Sequence, residues 1–364
     1  MEKHAYQKEP HIKILYGVQG TGNGHISRAR TMDKALKARP NIHIDYLFSG
    51  REREEYFDMS QFGEFACCAG LTFITRSGKV SPIATLAKNN IYQLWKDINA
   101  LDLSQYDLVI SDFEPITAWA AKRQKVRSLA IGHQYAFLHD IPKQGDSIFT
   151  NAVMKYFAPT DRQIGLHWHH FNQTIMPPII DLEHLPLEKI DNKIVVYLGF
   201  EKNEDVMQLL QPFTDYEFFI YSPSTTQKST QGHLRLNPVD RNGFKHDLHS
   251  CNGVITNAGF ELASEAISLG KKILAKPLLG QMEQLSNAFA LEKLELGMTM
   301  PRLDHEVVKK WLENVEGKQV AYPDVPAALA QWINNGMTQD TQQLAKNLWA
   351  ETHSPDISGF ANWP

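Results

Sequence analysis

A glycine-rich loop near the start of the chain carries the first residues that could do chemistry. The loop Gly20–His25 reads GTGNGH and directly follows an apolar run. Glycines let the backbone approach a ligand closely, and a helix that begins at such a loop offers free N–H groups and partial positive charge to an anion. We therefore expect Gly22 and Gly24 to line a ligand-binding cleft. A tight strand–helix turn without a ligand is the alternative.

His25 stands at the junction between this loop and the next helix. The positive end of a helix favours the neutral imidazole, which suits a general base. Asp112 ends a later apolar run and is well placed to orient a histidine through its Nδ1–H group, as the acid of a catalytic dyad does. The sequence thus predicts a catalytic pair of His25 and Asp112, and a structural role for the histidine is the alternative.

Three further polar residues follow apolar runs in the first half of the chain. Glu114 directly precedes Pro115, so it either faces the acceptor side of the cleft or caps the next helix. His133 and Gln134 follow the next run, and for them substrate contact and a structural role are equally open.

A second small-residue turn, Asn257–Gly259, ends a run in the second half and leads into a helix at Phe260. Free N–H groups at such a helix start form an anion site that suits a diphosphate. Glu261 and Glu265 are four residues apart and therefore share one helix face, where a carboxylate one turn in can accept both hydroxyls of a ribose. A capping box with a solvated helix face is the alternative.

An acid–amide pair, Glu283 and Gln284, follows the next run, with Asn287 close behind. Carboxylates accept hydrogen bonds and amides both accept and donate, a combination suited to hexose hydroxyls.

The glycine loop of 20–25 also suggests a dinucleotide-binding site. Its third glycine is misplaced for G-x-G-x-x-G, however, and no acidic residue ends the second apolar run. Arg51, which could meet a 2′-phosphate, keeps an NADP-dependent enzyme open.

These residues lie at the ends of short apolar runs that alternate with helical stretches, which predicts parallel sheets covered by helices. In the first half the predicted strands are 12–18, 42–48, 71–74, 108–111, 129–132, 156–158 and 174–176, and the predicted helices are 27–38, 83–100 and 117–125. In the second half the predicted strands are 193–199, 217–221, 234–236, 253–256 and 272–275, and the predicted helices are 204–210, 260–269, 283–294, 307–311, 327–334 and 341–351.

The proline pair Pro177-Pro178 and the charged stretch after it interrupt this alternation and predict a linker. We expect an acceptor-side domain over 1–180, a linker over 181–191, a donor domain over 192–325 and C-terminal helices over 326–364 that return to the first domain. The expected fold class is α/β, with two doubly wound Rossmann-like domains facing a cleft.

Composition excludes several classes of protein. The 364 residues carry 37 Lys and Arg against 41 Asp and Glu, a net charge of −4, which argues against a nucleic-acid partner. No apolar run reaches the roughly 18–20 residues that span a bilayer. The N-terminus lacks the apolar centre of a signal peptide, and three cysteines form no disulfide framework. We expect a soluble cytoplasmic protein.

In the order of these motifs the chain resembles the two-domain glycosyltransferases of the GT-B fold. Within that fold it is similar to the group of the peptidoglycan N-acetylglucosaminyltransferase, galactolipid synthase and the UDP-glucuronosyltransferases, and above all to an uncharacterised bacterial and archaeal set. The first loop of that group ends in a histidine proposed as the base, the position of His25, and Asp112 matches the acid paired with it.

The donor segment of that group reads G-x-x-[ST]-x-x-E-A and then P-x-x-x-[DE]-Q-x-x-N-A. The resemblance therefore assigns donor binding to Phe244, Asn257, Ala258, Gly259, Phe260, Glu261, Glu265, Glu283, Gln284 and Asn287. Glu261 departs from the pattern, because it replaces a small or hydroxyl residue. Its charge is unfavourable beside a diphosphate unless the side chain points elsewhere, and no basic residue within the motif compensates it.

The resemblance implies an inverting, metal-independent transfer of a sugar from a UDP-type donor to an acceptor hydroxyl, with no cofactor. The adjacent histidines of 167–170 are not expected to hold a metal. The acceptor, whether glycan, lipid or small molecule, is unknown. Aromatic side chains of the first half form core, a sugar-stacking wall or a patch that contacts the inner face of a membrane. A UDP-sugar epimerase and a non-catalytic nucleotide-sugar-binding protein remain alternatives.

Overall fold

The computed structural model describes residues 11–71, 75–76, 79–80, 90–181, 185 and 188–362. These residues form one large sheet in each half of the chain, with helices packed against it. The predicted fold class, α/β with two doubly wound Rossmann-like domains, is confirmed. The predicted domain bounds stay a prediction.

The first sheet has the strand order β3-β2-β1-β6-β7-β8-β9 among the described residues, and all its neighbouring pairs are parallel. Its strands are β1 (Ile12–Gln19), β2 (Ile42–Ser49), β3 (Phe65–Cys68), β6 (Leu108–Asp112), β7 (Ser128–Gly132), β8 (Arg162–Leu166) and β9 (Ile175–Met176). A small antiparallel pair consists of β4 (Thr75–Arg76) and β5 (Lys79–Val80). The helices of this half are α1 (Asn23–Lys37), α2 (Ile91–Ala100), α3 (Pro115–Gln124) and α4 (Ile148–Tyr156).

The second sheet has the order β12-β13-β11-β10-β14-β15-β16, in which only the β12–β13 pair is antiparallel among the described strands. Its strands are β10 (Lys193–Tyr197), β11 (Glu217–Ser222), β12 (Ser229–Gln231), β13 (Leu234–Pro238), β14 (Gly253–Asn257), β15 (Lys272–Lys276) and β16 (Met298–Thr299). The helices are α5 (Asn203–Leu210), α6 (Arg241–Ser250), α7 (Phe260–Ser268), α8 (Met282–Lys293), α9 (His305–Asn314), α10 (Val325–Asn334) and α11 (Thr341–Ala350).

The strand order reverses at the centre of each sheet. In the first sheet β1 lies between β2 and β6, and in the second β10 lies between β11 and β14. Every residue of β6 and of β14 is buried, as expected for strands covered on both faces. Ligands of doubly wound folds bind at the carboxyl ends of strands where the order reverses. In the first sheet this edge holds the loop after β1 and Asp112, and in the second sheet it holds the turn after β14.

One predicted strand of the first half is wrong. The run 156–158 overlaps the end of α4, which begins with a capping box between Ser147 and Thr150 and ends at Tyr156, and the strand of this region is β8. Residues 72–74 of the predicted strand 71–74 lie outside the described residues, so that strand stays a prediction, and β3 is the edge strand of the described sheet. The predicted helix 83–100 is described only from Asn90 onward, where Asn90 caps α2. Of the predicted linker, residues 182–184 and 186–187 are likewise outside the described part.

The last two helices contact the first half of the molecule. Helix α10 packs against α1, and α11 packs near β9, where the Trp349 indole N–H donates to the Ile175 carbonyl at 2.6 Å. Arg162 of β8 donates to the Met337 carbonyl at 2.7 Å, in the loop between these helices. A single apolar cluster also runs from the first half to the second through Trp168 and Phe260.

Candidate functional site

The predicted pair lies together at the carboxyl edge of the first sheet. Helix α1 begins two residues before His25, and Asp112 is the last residue of β6. The His25 Nδ1 atom is 2.7 Å from Asp112 Oδ1. Because a carboxylate only accepts hydrogen bonds, Nδ1 carries the proton and Nε2 keeps the lone pair that can take one from a substrate. Asp112 is fully buried, while His25 is partly exposed.

A residue that sequence reasoning missed, Arg28, holds the other side of Asp112. Its Nε donates to Asp112 Oδ2 at 2.7 Å and its Nη2 to Oδ1 at 2.5 Å. Burial disfavours the charge on Asp112, but Arg28 and His25 outweigh it and keep the pKa of this carboxyl below its ordinary value. The available signal was the spacing of His25 and Arg28, three residues apart on one face of α1.

Glu261 extends from the first turn of α7 to the first domain. Its Oε1 atom accepts a hydrogen bond from Nη1 of Arg28, and the same two groups form an ion pair. The compensating base that the donor motif lacks is therefore supplied by α1, 233 residues away in the chain. The carboxylate of Glu261 thus lies against a cation.

The turn before α7 leaves backbone N–H groups uncapped. Gly259 is the N-cap of this helix, and no side chain caps it. A Cβ atom built on Gly259 would have no described atom within 4 Å, so the space in front of the helix is open. Asn257 is fixed by a hydrogen bond from its Nδ2 to the Lys276 carbonyl at 3.0 Å, and the buried Ala258 accepts one from Asn287 Nδ2 at 3.0 Å. The helix start can therefore receive an anion.

Glu265 lies one helical turn beyond Glu261 on α7, and its carboxylate makes no hydrogen bond to any described residue. Burial, together with the nearby charges of Asp181 and Glu261, raises the pKa of Glu265 to about 7, although Lys245 and Arg241 oppose the shift. A carboxylate without hydrogen-bond donors of its own can accept hydroxyl groups from a ligand.

The acid–amide pair on α8 is split between two tasks. Glu283 Oε2 accepts a hydrogen bond from Gln134 Nε2 of the first half at 3.1 Å, and burial raises the pKa of the Glu283 carboxyl. Gln284 is buried and its Oε1 accepts from the Leu278 backbone N–H at 2.8 Å, which fixes the loop after β15. The Oε1 atom of Gln134 is buried without a hydrogen-bond partner among the described residues.

Two residues proposed for the acceptor side have structural contacts instead. Glu114 is fully buried and caps α3, the alternative that the sequence left open. His133 is also fully buried; it stacks on Phe260 with ring centroids 3.9 Å apart and lies 2.6 Å from Asn287 Oδ1. Burial lowers the pKa of His133 to about 4. Neither side chain has surface to offer to an acceptor.

Contacts around the first loop explain the glycine at position 24 and the role of Arg51. Gly22 is the extended N-cap of α1, and a Cβ on Gly24 would lie 2.5 Å from Glu261 Oε2. Arg51 donates to Asn23 Oδ1 at 3.1 Å and to the Thr21 carbonyl at 2.9 Å. Its guanidinium therefore braces the loop, which argues against the 2′-phosphate contact of the NADP alternative.

Phe244 lies in the second domain, within α6. Its ring packs edge-on against Tyr221 and Tyr197, with centroids 5.0 and 5.9 Å away. The aromatic side chains of the first half divide: Tyr56, Phe62, Tyr135 and Phe137 are core, whereas Phe57, Tyr92 and Trp95 are exposed.

Among the described residues, no group of three or more His, Cys, Asp or Glu side chains is placed to hold a metal ion. A search of the same residues for a helix long and apolar enough to cross a bilayer finds none.

The family model for glycosyl transferase family 1 matches residues 12–316. No curated protein matches the chain. Among solved structures, the glycosyltransferase SnogD from Streptomyces nogalater is 14% identical, with a TM-score of 0.54 over 93% of this chain and 96% of that one. SsfS6 of Streptomyces sp. SF2575, complexed with thymidine diphosphate, is 11% identical, with a TM-score of 0.53 over 89% and 100%. UGT89C1 of Arabidopsis thaliana, complexed with UDP, is 11% identical, with a TM-score of 0.55 over 93% and 99%. At these identities the likeness shows the fold, which is GT-B.

Proposed function

We propose that this chain, which belongs to glycosyl transferase family 1, transfers a sugar from a UDP-type donor to an acceptor hydroxyl with inversion at the anomeric carbon. The observation that carries the proposal is the His25–Asp112 contact of 2.7 Å at the sheet edge that faces the open start of α7. A base and an anion site close to each other where the two domains meet are what a direct displacement needs.

In the proposed reaction His25 takes the proton of the acceptor hydroxyl on Nε2, while Asp112 stabilises the imidazolium that forms. The acceptor oxygen bonds to the anomeric carbon as the bond from that carbon to the diphosphate oxygen breaks. The leaving electron pair stays on the diphosphate, which the N–H groups after Gly259 stabilise without a metal ion.

The donor is proposed as a uridine nucleotide because the Glu265 carboxylate has no hydrogen-bond donor among the described residues and can accept the hydroxyls of a ribose, and because UDP is bound in one structure of the same fold. Within the fold, we propose that the chain belongs with the peptidoglycan N-acetylglucosaminyltransferase and its relatives. The acceptor stays open, and the exposed, stacked rings of Tyr92 and Trp95 offer a surface to a sugar or a lipid.

A thermal-shift screen with UDP, GDP, dTDP and their sugars identifies the donor, because a ligand that binds only the folded state raises the Tm. Turnover is then compared in wild type, His25→Ala and the matched control His43→Ala, whose imidazole is exposed. We expect His25→Ala to lower kcat by about 10²–10⁴-fold and to leave UDP affinity unchanged. Normal turnover in His25→Ala would remove His25 from the mechanism.

A second candidate, epimerisation of a UDP-sugar, is favoured by one observation. Glu261 and Glu283 bring further carboxyl groups to the vicinity of His25 and Arg28. Incubation with donor alone separates the two reactions. An epimerase converts the sugar without acceptor and without net release of UDP, whereas a transferase requires the acceptor.

A further inference from the structure

Arg28 is a buried cation shared by the two domains. Only 2% of its surface is exposed. Two of its nitrogens contact Asp112 in the first domain and a third contacts Glu261 in the second. An arginine in this position joins the acid of the proposed dyad to the helix that begins the proposed donor site.

The charges around His25 have a consequence for its protonation. Arg28 Nη2 lies 3.0 Å from His25 Nδ1, so an imidazolium formed during transfer would stand beside a guanidinium. Without Glu261, Asp112 would be the only carboxylate among the described residues in direct contact with these two cations, since Glu283 acts on them without a hydrogen bond. With Glu261 present, two carboxylates contact them. Because Arg28 and Asp112 are buried, this difference is larger than it would be in water.

Other ionisable groups also face His25. The charge of Glu283 on α8 interacts with His25 and with Arg28. The buried His133 also lies near enough to both residues for their charges to act on it. Glu261 differs from Glu283 because it contacts the guanidinium directly.

We propose that Arg28 and Glu261 are positioning residues that make proton uptake by His25 depend on closure of the two domains. Glu261 reaches Arg28 only when the second domain lies against the first, and its charge then makes the imidazolium tolerable. The inference rests on the proposed function. It also explains how an acid can stand at the start of α7, since its carboxylate is bound by Arg28 and not left facing a diphosphate.

Gly24 supplies an independent way to disturb this contact. A Cβ at this position would lie 2.5 Å from Glu261 Oε2 and 3.2 Å from its Cδ. Alanine is the best helix former, so Gly24→Ala leaves α1 intact while it pushes the carboxylate of Glu261 away. In a Glu261→Ala background the added methyl group meets no carboxylate.

The test compares wild type, Glu261→Gln, Gly24→Ala, Glu261→Ala and the Gly24→Ala/Glu261→Ala double variant, with Glu313→Gln on the surface of α9 as the matched control. We expect Glu261→Gln and Gly24→Ala to lower kcat by about 10–100-fold with donor KM and UDP affinity within about twofold of wild type.

The double variant is expected to match Glu261→Ala alone, since both changes remove one contact. A loss of UDP affinity with unchanged kcat in Glu261→Gln would make Glu261 a donor ligand and overturn the proposal. An unchanged kcat in Glu261→Gln would overturn it too, as would additive losses in the double variant. Wild type that transfers no sugar from any donor would instead remove the proposed function, and this inference with it.

Discussion

Helices α3 and α7 begin at corresponding places in the two domains, but their first turns are capped differently. Each follows the strand that lies beside the central strand of its sheet, β6 in the first and β14 in the second. At α3 the Glu114 carboxylate accepts hydrogen bonds from the backbone N–H groups of Ile116 at 2.9 Å and Thr117 at 2.6 Å. At α7 Gly259 provides no side-chain cap and faces open space.

The difference shows which helix start is kept for a ligand. A fully buried carboxylate already fills the first, with additional donors from Ser49 at 2.8 Å and the Thr117 hydroxyl at 2.6 Å. The second has the same backbone polarity and no side-chain cap among the described residues, and Glu261, the acid of its first turn, is bound by Arg28. The same position in the fold is therefore a helix start capped by the protein's own carboxylate in the first domain and an open anion site in the second.

The largest effect is expected when the start of α7 is capped by a carboxylate, as the start of α3 is. Gly259→Asp places a carboxylate at the N-cap, where its φ of −76° suits any residue and aspartate is a favoured cap. We expect the Kd for UDP to rise by about 100-fold or more, because the new charge repels the diphosphate and occupies its donors.

Gly259→Asn, of the same size but neutral, is the matched control and should weaken UDP binding by about tenfold or less. Calorimetry with UDP measures both variants. Equal affinity in Gly259→Asp and wild type would place the diphosphate elsewhere.

A smaller effect on UDP affinity is expected at Glu265. Its carboxylate has no hydrogen-bond donors among the described residues, whereas the Glu114 carboxylate has four. The Glu265 pKa of about 7 leaves about half of the carboxyl protonated at pH 7. Ribose hydroxyls donate to the charged form, so UDP binding should release about half a proton at pH 7 and should weaken as the pH falls below 7.

Calorimetry in buffers of different ionisation enthalpy measures that proton. Glu265→Gln should abolish its release and weaken UDP binding about tenfold. Glu313→Gln, an exposed change of the same charge, controls for net charge. Unaltered affinity in Glu265→Gln would mean that the ribose assignment is wrong.

The smallest effect is expected at the closed helix start. Glu114→Gln removes one of the two carboxylate oxygens that cap α3 and should lower the free energy of unfolding by about 1 kcal/mol, with no change in UDP affinity. Urea unfolding measures the first quantity. Asp304→Asn at the exposed start of α9 is the control and should cost less. A loss of UDP affinity in Glu114→Gln would show that the first helix start also serves the ligand.

The order of strands and helices could be predicted largely from local patterns. The fully buried runs of β6 and β14 are apolar and end in polar residues, so both their existence and their functional ends were visible. Strand β8 was missed because its first two residues, Arg162 and Gln163, are exposed, and the apolar run before it completes a helix.

The site was predictable where two strand ends of one sheet bring residues together, and not where the two domains meet. The proximity of His25 and Asp112 follows from strand ends that meet at one edge. The Arg28–Glu261 pair joins the two domains, and no local spacing in the sequence predicts it. Burial also decided between alternatives that the sequence left equal, as it did for His133.

The C-terminal helices change how this molecule can be divided by an engineer. Because α10 packs on α1 and Trp349 binds the Ile175 carbonyl, the end of the chain forms part of the first domain's surface although it follows the second in sequence. A chimera that takes a new donor specificity from a relative should therefore exchange an internal segment between the two crossings and retain both chain ends together. A cut at a single junction would pair α1 with a foreign helix and leave its apolar face without its native partner.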